Sequence, residues 1–136
     1  GDSAVIFLQL KRTGYFGEIA QNADNPSRIN IKFSSNKIHN MSGYEIRFEI
    51  QRRNDDIYIS LTDSVPNRGK LIPQYQEPAL GNIDLDISKK IFNLFLIAGD
   101  TSEYLLELTD GNLKSVLKRA GNVDMVIRPS IKERRR

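Results

Sequence analysis

Two stretches of this chain alternate apolar and polar residues one by one, and no other feature narrows its fold as far. Residues 44–51 run Tyr, Glu, Ile, Arg, Phe, Glu, Ile, Gln, and residues 28–33 run Arg, Ile, Asn, Ile, Lys, Phe. A period of two puts Tyr44, Ile46, Phe48 and Ile50 on one face of a strand, with Glu45, Arg47, Glu49 and Gln51 in solvent. In the same way Ile29, Ile31 and Phe33 face a core, and Arg28, Asn30 and Lys32 face away. Ile57, Ile59 and Leu61 resume the pattern after the turn formers Asn54, Asp55 and Asp56. Residues 15–21 and the apolar run 4–10 read as two more strands, with turn formers at 22–27. About five strands in some sixty residues predict a small β-barrel or sandwich.

The later sequence reads differently. Residues 66–81 hold Pro66, Pro73, Pro78, Gly69 and Gly81 with little periodicity, which predicts a linker or long loop. Residues 83–87 suit a short strand. Ser88 is placed to cap a helix over 89–98 that ends at Gly99, and its run of apolar residues predicts a buried helix. Residues 103–109 fit a strand or a helix. Asn112 is placed to cap a helix to Ala120, with Leu113, Val116, Leu117 and Ala120 on one stripe. The competing parse makes Asp110 and Gly111 a hairpin turn and 113–117 a strand; the helix is the preferred reading. A last strand over 123–128 stops at Pro129. The fold class expected is thus mainly β (α+β). A barrel spans 1–65, a linker 66–81, a mixed α/β segment 82–128 and a basic tail 129–136.

Composition removes much enzyme chemistry. With no Cys and a single His, the chain has no thiolate site, no Cys nucleophile and no multi-His metal centre. The lack of Cys points toward a reducing compartment such as the cytoplasm. No apolar run approaches the ~20 residues of a membrane-spanning helix, and no membrane partner is expected. Arg128, Lys132, Arg134, Arg135 and Arg136 oppose only Glu133, so the tail carries +4 of the formal +3 and the remainder is −1. A basic tail attracts nucleic acid or an anionic membrane surface, or simply stays solvated.

Particular residues in the first half resemble the cold-shock type of OB-fold. Thr13-Gly14-Tyr15-Phe16-Gly17-Glu18-Ile19 looks like that family's aromatic, Gly-rich second strand. Arg28-Ile29-Asn30-Ile31-Lys32-Phe33, followed by Ser34-Ser35, looks like its third. Gly43 to Ile50 looks like its fourth and residues 57–61 its fifth. The resemblance covers about residues 4–63 and implies an OB-like β-barrel that binds single-stranded nucleic acid. Glu18 stands where the family stacks a Phe, and Asn30 and Lys32 where it carries an aromatic and a His, so the implied platform is thinner. Tyr15, Phe16 and Phe33 would stack on bases, worth ~1–3 kcal/mol each, while Lys11, Arg12 and Lys32 hold phosphates and Arg134, Arg135 and Arg136 add attraction. The competing view is that Phe16 and Phe33 are core.

The expectation is a non-enzymatic binding module for nucleic acid, with no catalytic residues, no metal and no cofactor. The alternative is a protein-interaction or assembly module docking a partner through the hydrophobes of residues 70–80 and the 91–98 segment. A third reading, a fragment of a metal-dependent nuclease, uses Asp84 and Asp86 with Asp100 or Glu103 around a hard cation. His39, in a polar stretch, reads as a surface residue.

Overall fold

The computed structural model describes residues 14–40, 43–66, 76–109 and 112–130. Nine strands follow in chain order: β1 Tyr15–Gln21, β2 Arg28–His39, β3 Tyr44–Arg53, β4 Asp56–Pro66, β5 Glu77–Asp86, β6 Ile91–Ala98, β7 Asp100–Thr109, β8 Asn112–Arg119 and β9 Val123–Ile127. They form one sheet in the order β8-β7-β6-β4-β3-β5-β2-β1-β9. Pairing is parallel where β1 meets β9, β3 meets β5 and β4 meets β6, and antiparallel elsewhere. The sheet curls until its ends approach, giving a nearly closed small β-barrel compatible with an OB-like fold.

Side chains tie the ends of the sheet together. Gln21 Nε2 donates to the carbonyl of Thr109 at 2.9 Å. The Tyr104 hydroxyl donates to the carbonyl of Val123 at 2.7 Å, and the Val123 N–H donates to Ser102 Oγ at 3.1 Å. Inside lies a continuous core that includes Ile19, Ile29, Ile31, Ile59, Leu94, Leu96 and Leu106, all fully buried. Sealing each such side chain from water contributes about 1.5–3 kcal/mol.

The alternating stretches form the strands that their period predicts. Ile29, Ile31, Phe33, Ile46, Ile57, Ile59 and Leu61 all face the core. Between β3 and β4, Asn54 and Asp55 take φ of 49° and 71° as the two central residues of a hairpin turn. Positive φ at both positions matches the twist of the flanking strands, and Asn and Asp tolerate it. Ile50 departs from the pattern at 42% exposure. It lies beyond the point where β3 pairs with β5.

The described residues hold no helix, which corrects the expected α/β segment. The run read as a helix over 89–98 is β6. Phe92, Leu94 and Leu96 point inward, and the apolar residues between them lie outside, where Phe95 stacks on Tyr58 at 4.4 Å. β6 is bonded to β4 on one side and β7 on the other, and its partly covered outer face carries Ile91, Phe95 and Ile97 as well, so the segment reads as an apolar run. Gly99, read as a helix stop, instead takes φ 82° at the reversal into β7. The second expected helix is β8. Of its stripe only Leu113 is buried, opposite Leu108, while Val116 and Leu117 are exposed. Pairing along β7 takes up the backbone hydrogen bonds that a helix would have used. Asp110 and Gly111 lie outside the described residues. The stretch read as a linker over 66–81 contains the start of β5, which inserts between β3 and β2; residues 67–75 lie outside the described residues, as does the strand expected at 4–10.

Candidate functional site

Alternation along β1 and β2 decides where the expected nucleic-acid residues point. Gly17 pairs with Phe33, Phe16 with Ser34 and Glu18 with Lys32. Tyr15 and Phe33 therefore turn inward and are sealed in the core, at 5% and 2% exposure. Neither ring offers a face to a base, which corrects the expected stacking platform. The missing side chain at Gly17 makes room for Phe33, since a Cβ there would sit 3.1 Å from its ring. Phe16, half-buried, and Lys32, exposed, share the outer face. On that face Arg128 donates to Glu18 at 2.6 Å, which holds the Glu18 carboxyl below its usual range. Lys11, Arg12, Arg134, Arg135 and Arg136 lie outside the described residues.

The other residues singled out fall apart from one another. Asp84 accepts a hydrogen bond from Asn30 Nδ2 at 3.0 Å on the outer face of β5. Asp100 instead accepts the N–H of Asn122 at 2.7 Å. Among the described residues no group of three or more acidic or imidazole side chains is placed to hold a metal. His39 is buried rather than surface-exposed, stacked on Tyr44 at 3.9 Å with the rings 8° apart.

The structure brings a different set together. β3 and β5 pair at one register position only, Glu45 with Leu80. From there the strands diverge, until Arg52 Nη1 donates to the carbonyl of Asp86 at 2.7 Å. Between those two points the β3-facing edge of β5 has no strand partner among the described residues, over about 20 Å at ~3.3 Å per residue. A cleft of about 630 Å³ opens around the Glu45–Leu80 pairing and the start of this slot. Its apolar lining is Phe33, Tyr44, Ile46, Phe48, Pro78 and Leu80, and its rim carries Lys32, Glu45, Glu77 and Asn82. Phe48 lies tilted on Phe33, with ring centroids 5.6 Å apart. Phe48 also covers Gly81 so closely that a Cβ at Gly81 would sit 2.3 Å from the ring. Leu80 stands 53% exposed at the lip. Asn30 Nδ2 also donates to Asn82 Oδ1 at 2.8 Å, which steadies the polar side of the rim.

Such a groove suits an extended polypeptide. Its floor takes apolar side chains, and its walls are backbone edges that need hydrogen-bond partners. Of its lining residues, Lys32 and Phe33 were in the expected nucleic-acid site, and Pro78 and Leu80 fall in the 70–80 stretch of the alternative docking surface. Tyr44, Ile46 and Phe48 were legible as an apolar stripe, but nothing local signals that β5 parts from them. Compared with protein-family models, with curated proteins and with solved structures, the chain matches none.

Proposed function

We propose that the chain is a non-enzymatic protein-interaction module that takes an extended segment of a partner protein into the β3–β5 groove. The observation that carries this reading is the seam itself: one pairing at Glu45 and Leu80, then an open edge above an apolar floor. The rim orders the incoming segment. Glu77 at the mouth favours a basic residue at that end, and Lys32 favours an acid beside it. The test is selection from a displayed library of seven-residue peptides. Recovered sequences should alternate apolar and polar residues, and Leu80→Glu should weaken their binding at least tenfold without lowering the melting temperature. Enrichment of no such pattern, or binding indifferent to Leu80→Glu, ends the reading.

A second reading keeps the cold-shock resemblance and a single-stranded nucleic-acid ligand. Its support is that Phe16 and Lys32 share the outer face on adjacent strands, offering one ring and one cation to a strand. Labelled oligothymidylate, titrated at low and at physiological salt, should bind in a salt-sensitive way, and Phe16→Ala should weaken it roughly tenfold. No binding at low salt removes this reading.

A further inference from the structure

We propose that the free edge of β8 binds an extended acidic segment of another protein as an added strand. This surface is separate from the groove. β8 ends the sheet order and pairs with β7 alone, so its second row of backbone groups faces away from the sheet. Its first two residues adjoin Ile127 and the residues that follow β9. From Lys114 onward the edge is open among the described residues. Val116 and Leu117 stand 56% and 55% exposed there, where natural edges ordinarily avoid apolar side chains because an open edge invites another strand.

Charge selects the occupant. Residues 112–122 contain Lys114, Lys118 and Arg119 and no Asp or Glu. Glu107 stands opposite Lys114 on β7, and Glu103 opposite Arg119, yet among the described residues no ion pair closes on any of the three cations. Lys114 and Val116 alternate onto the outer face, opposite Glu107 and Leu105 of β7; beyond them the register shifts by one residue at Lys118, which stands exposed at this bulge, and Arg119 comes opposite Glu103. An added strand that matches this edge presents an acid to Lys114, an apolar residue to Val116 two positions on, and a further acid toward Lys118 and Arg119, as cross-strand pairing favours. A second copy of β8 does not match. It would bring all the cations of both strands onto one ladder with no counter-charge, and like charges directly opposed are unfavourable. Nucleic acid would use the cations but leave the apolar pair and the backbone edge unanswered.

The test uses the full chain and two labelled eight-residue peptides, followed by fluorescence anisotropy. One peptide carries Glu, Val and Glu at alternate positions with Thr between them; the other carries Lys in place of Glu. The acidic peptide should bind at least tenfold more tightly. Lys114→Glu combined with Lys118→Glu should invert that preference, and Lys114→Gln with Lys118→Gln should abolish it. Both pairs should leave the melting temperature near that of the parent, because the side chains are exposed. N-methylation of alternate backbone nitrogens in the acidic peptide should remove binding. Equal binding of the two peptides, or a preference that survives charge reversal, overturns the proposal. So does an oligonucleotide that outcompetes the acidic peptide, or self-association that disappears with charge reversal.

Discussion

Gly81→Ala is expected to destabilise the protein by about 3 kcal/mol, at the upper end for overpacking a filled site. The added methyl would meet Phe48 Cζ at 2.3 Å and Cε2 at 2.8 Å, with Ile46 Cβ at 3.2 Å. The ring must swing out, which breaks its contact with Phe33 and floods the groove floor. Backbone conformation is not the issue, since Gly81 is not among the glycines with positive φ. The effect is therefore steric, and it should be coupled to Phe48. In a Phe48→Ala background the same change should cost less than ~1 kcal/mol, because the clashing ring is gone. Urea unfolding of the four variants reads the cycle. Additive costs would show that Phe48 does not occupy the position that defines the groove.

Tyr104→Phe should cost about 1–3 kcal/mol at neutral pH, the penalty for leaving the buried carbonyl of Val123 without its donor. The same residue sets an alkaline limit. Burial first, and then the nearby Asp124 carboxylate, push the Tyr104 hydroxyl up to about 12. In the unfolded chain it titrates near 10. Below pH 10 both states hold the proton and the full contribution is present. Between 10 and 12 the unfolded chain gives up the proton while the folded one keeps it, so stability falls by roughly 1.4 kcal/mol per pH unit. The measurement is the difference between parent and Tyr104→Phe across pH 9 to 12, which cancels whatever the two proteins share. The parent should lose its advantage as pH rises. A difference that is flat in pH would mean that the hydroxyl is not held neutral by the fold.

Strands with one face in the core and one in water were legible, because burial on one side writes a period of two into the sequence. β2, β3 and β4 are of this kind. β6 was not legible as a strand: its outer face is Ile91, Phe95 and Ile97 with Asn93 as its one polar member, too little to reveal the period. β8 misled in the opposite sense, since the apolar Val116 and Leu117 that suggested a helical stripe sit on an open edge. For Phe33 the alternation was the better guide, grouping it with the inward Ile29 and Ile31, whereas the cold-shock resemblance turned its ring outward. The groove depends on where β5 leaves β3, an encounter between segments far apart in the chain, and no local pattern encodes it.

The parallel pairing of β1 with β9 places Tyr15 beside Val123 and Ile19 beside Ile127. These are the first and the last of the described strands, so the contact joins segments far apart in the chain and forms late in folding. Until it forms, the flank of the core beside Ile19 stays open to water.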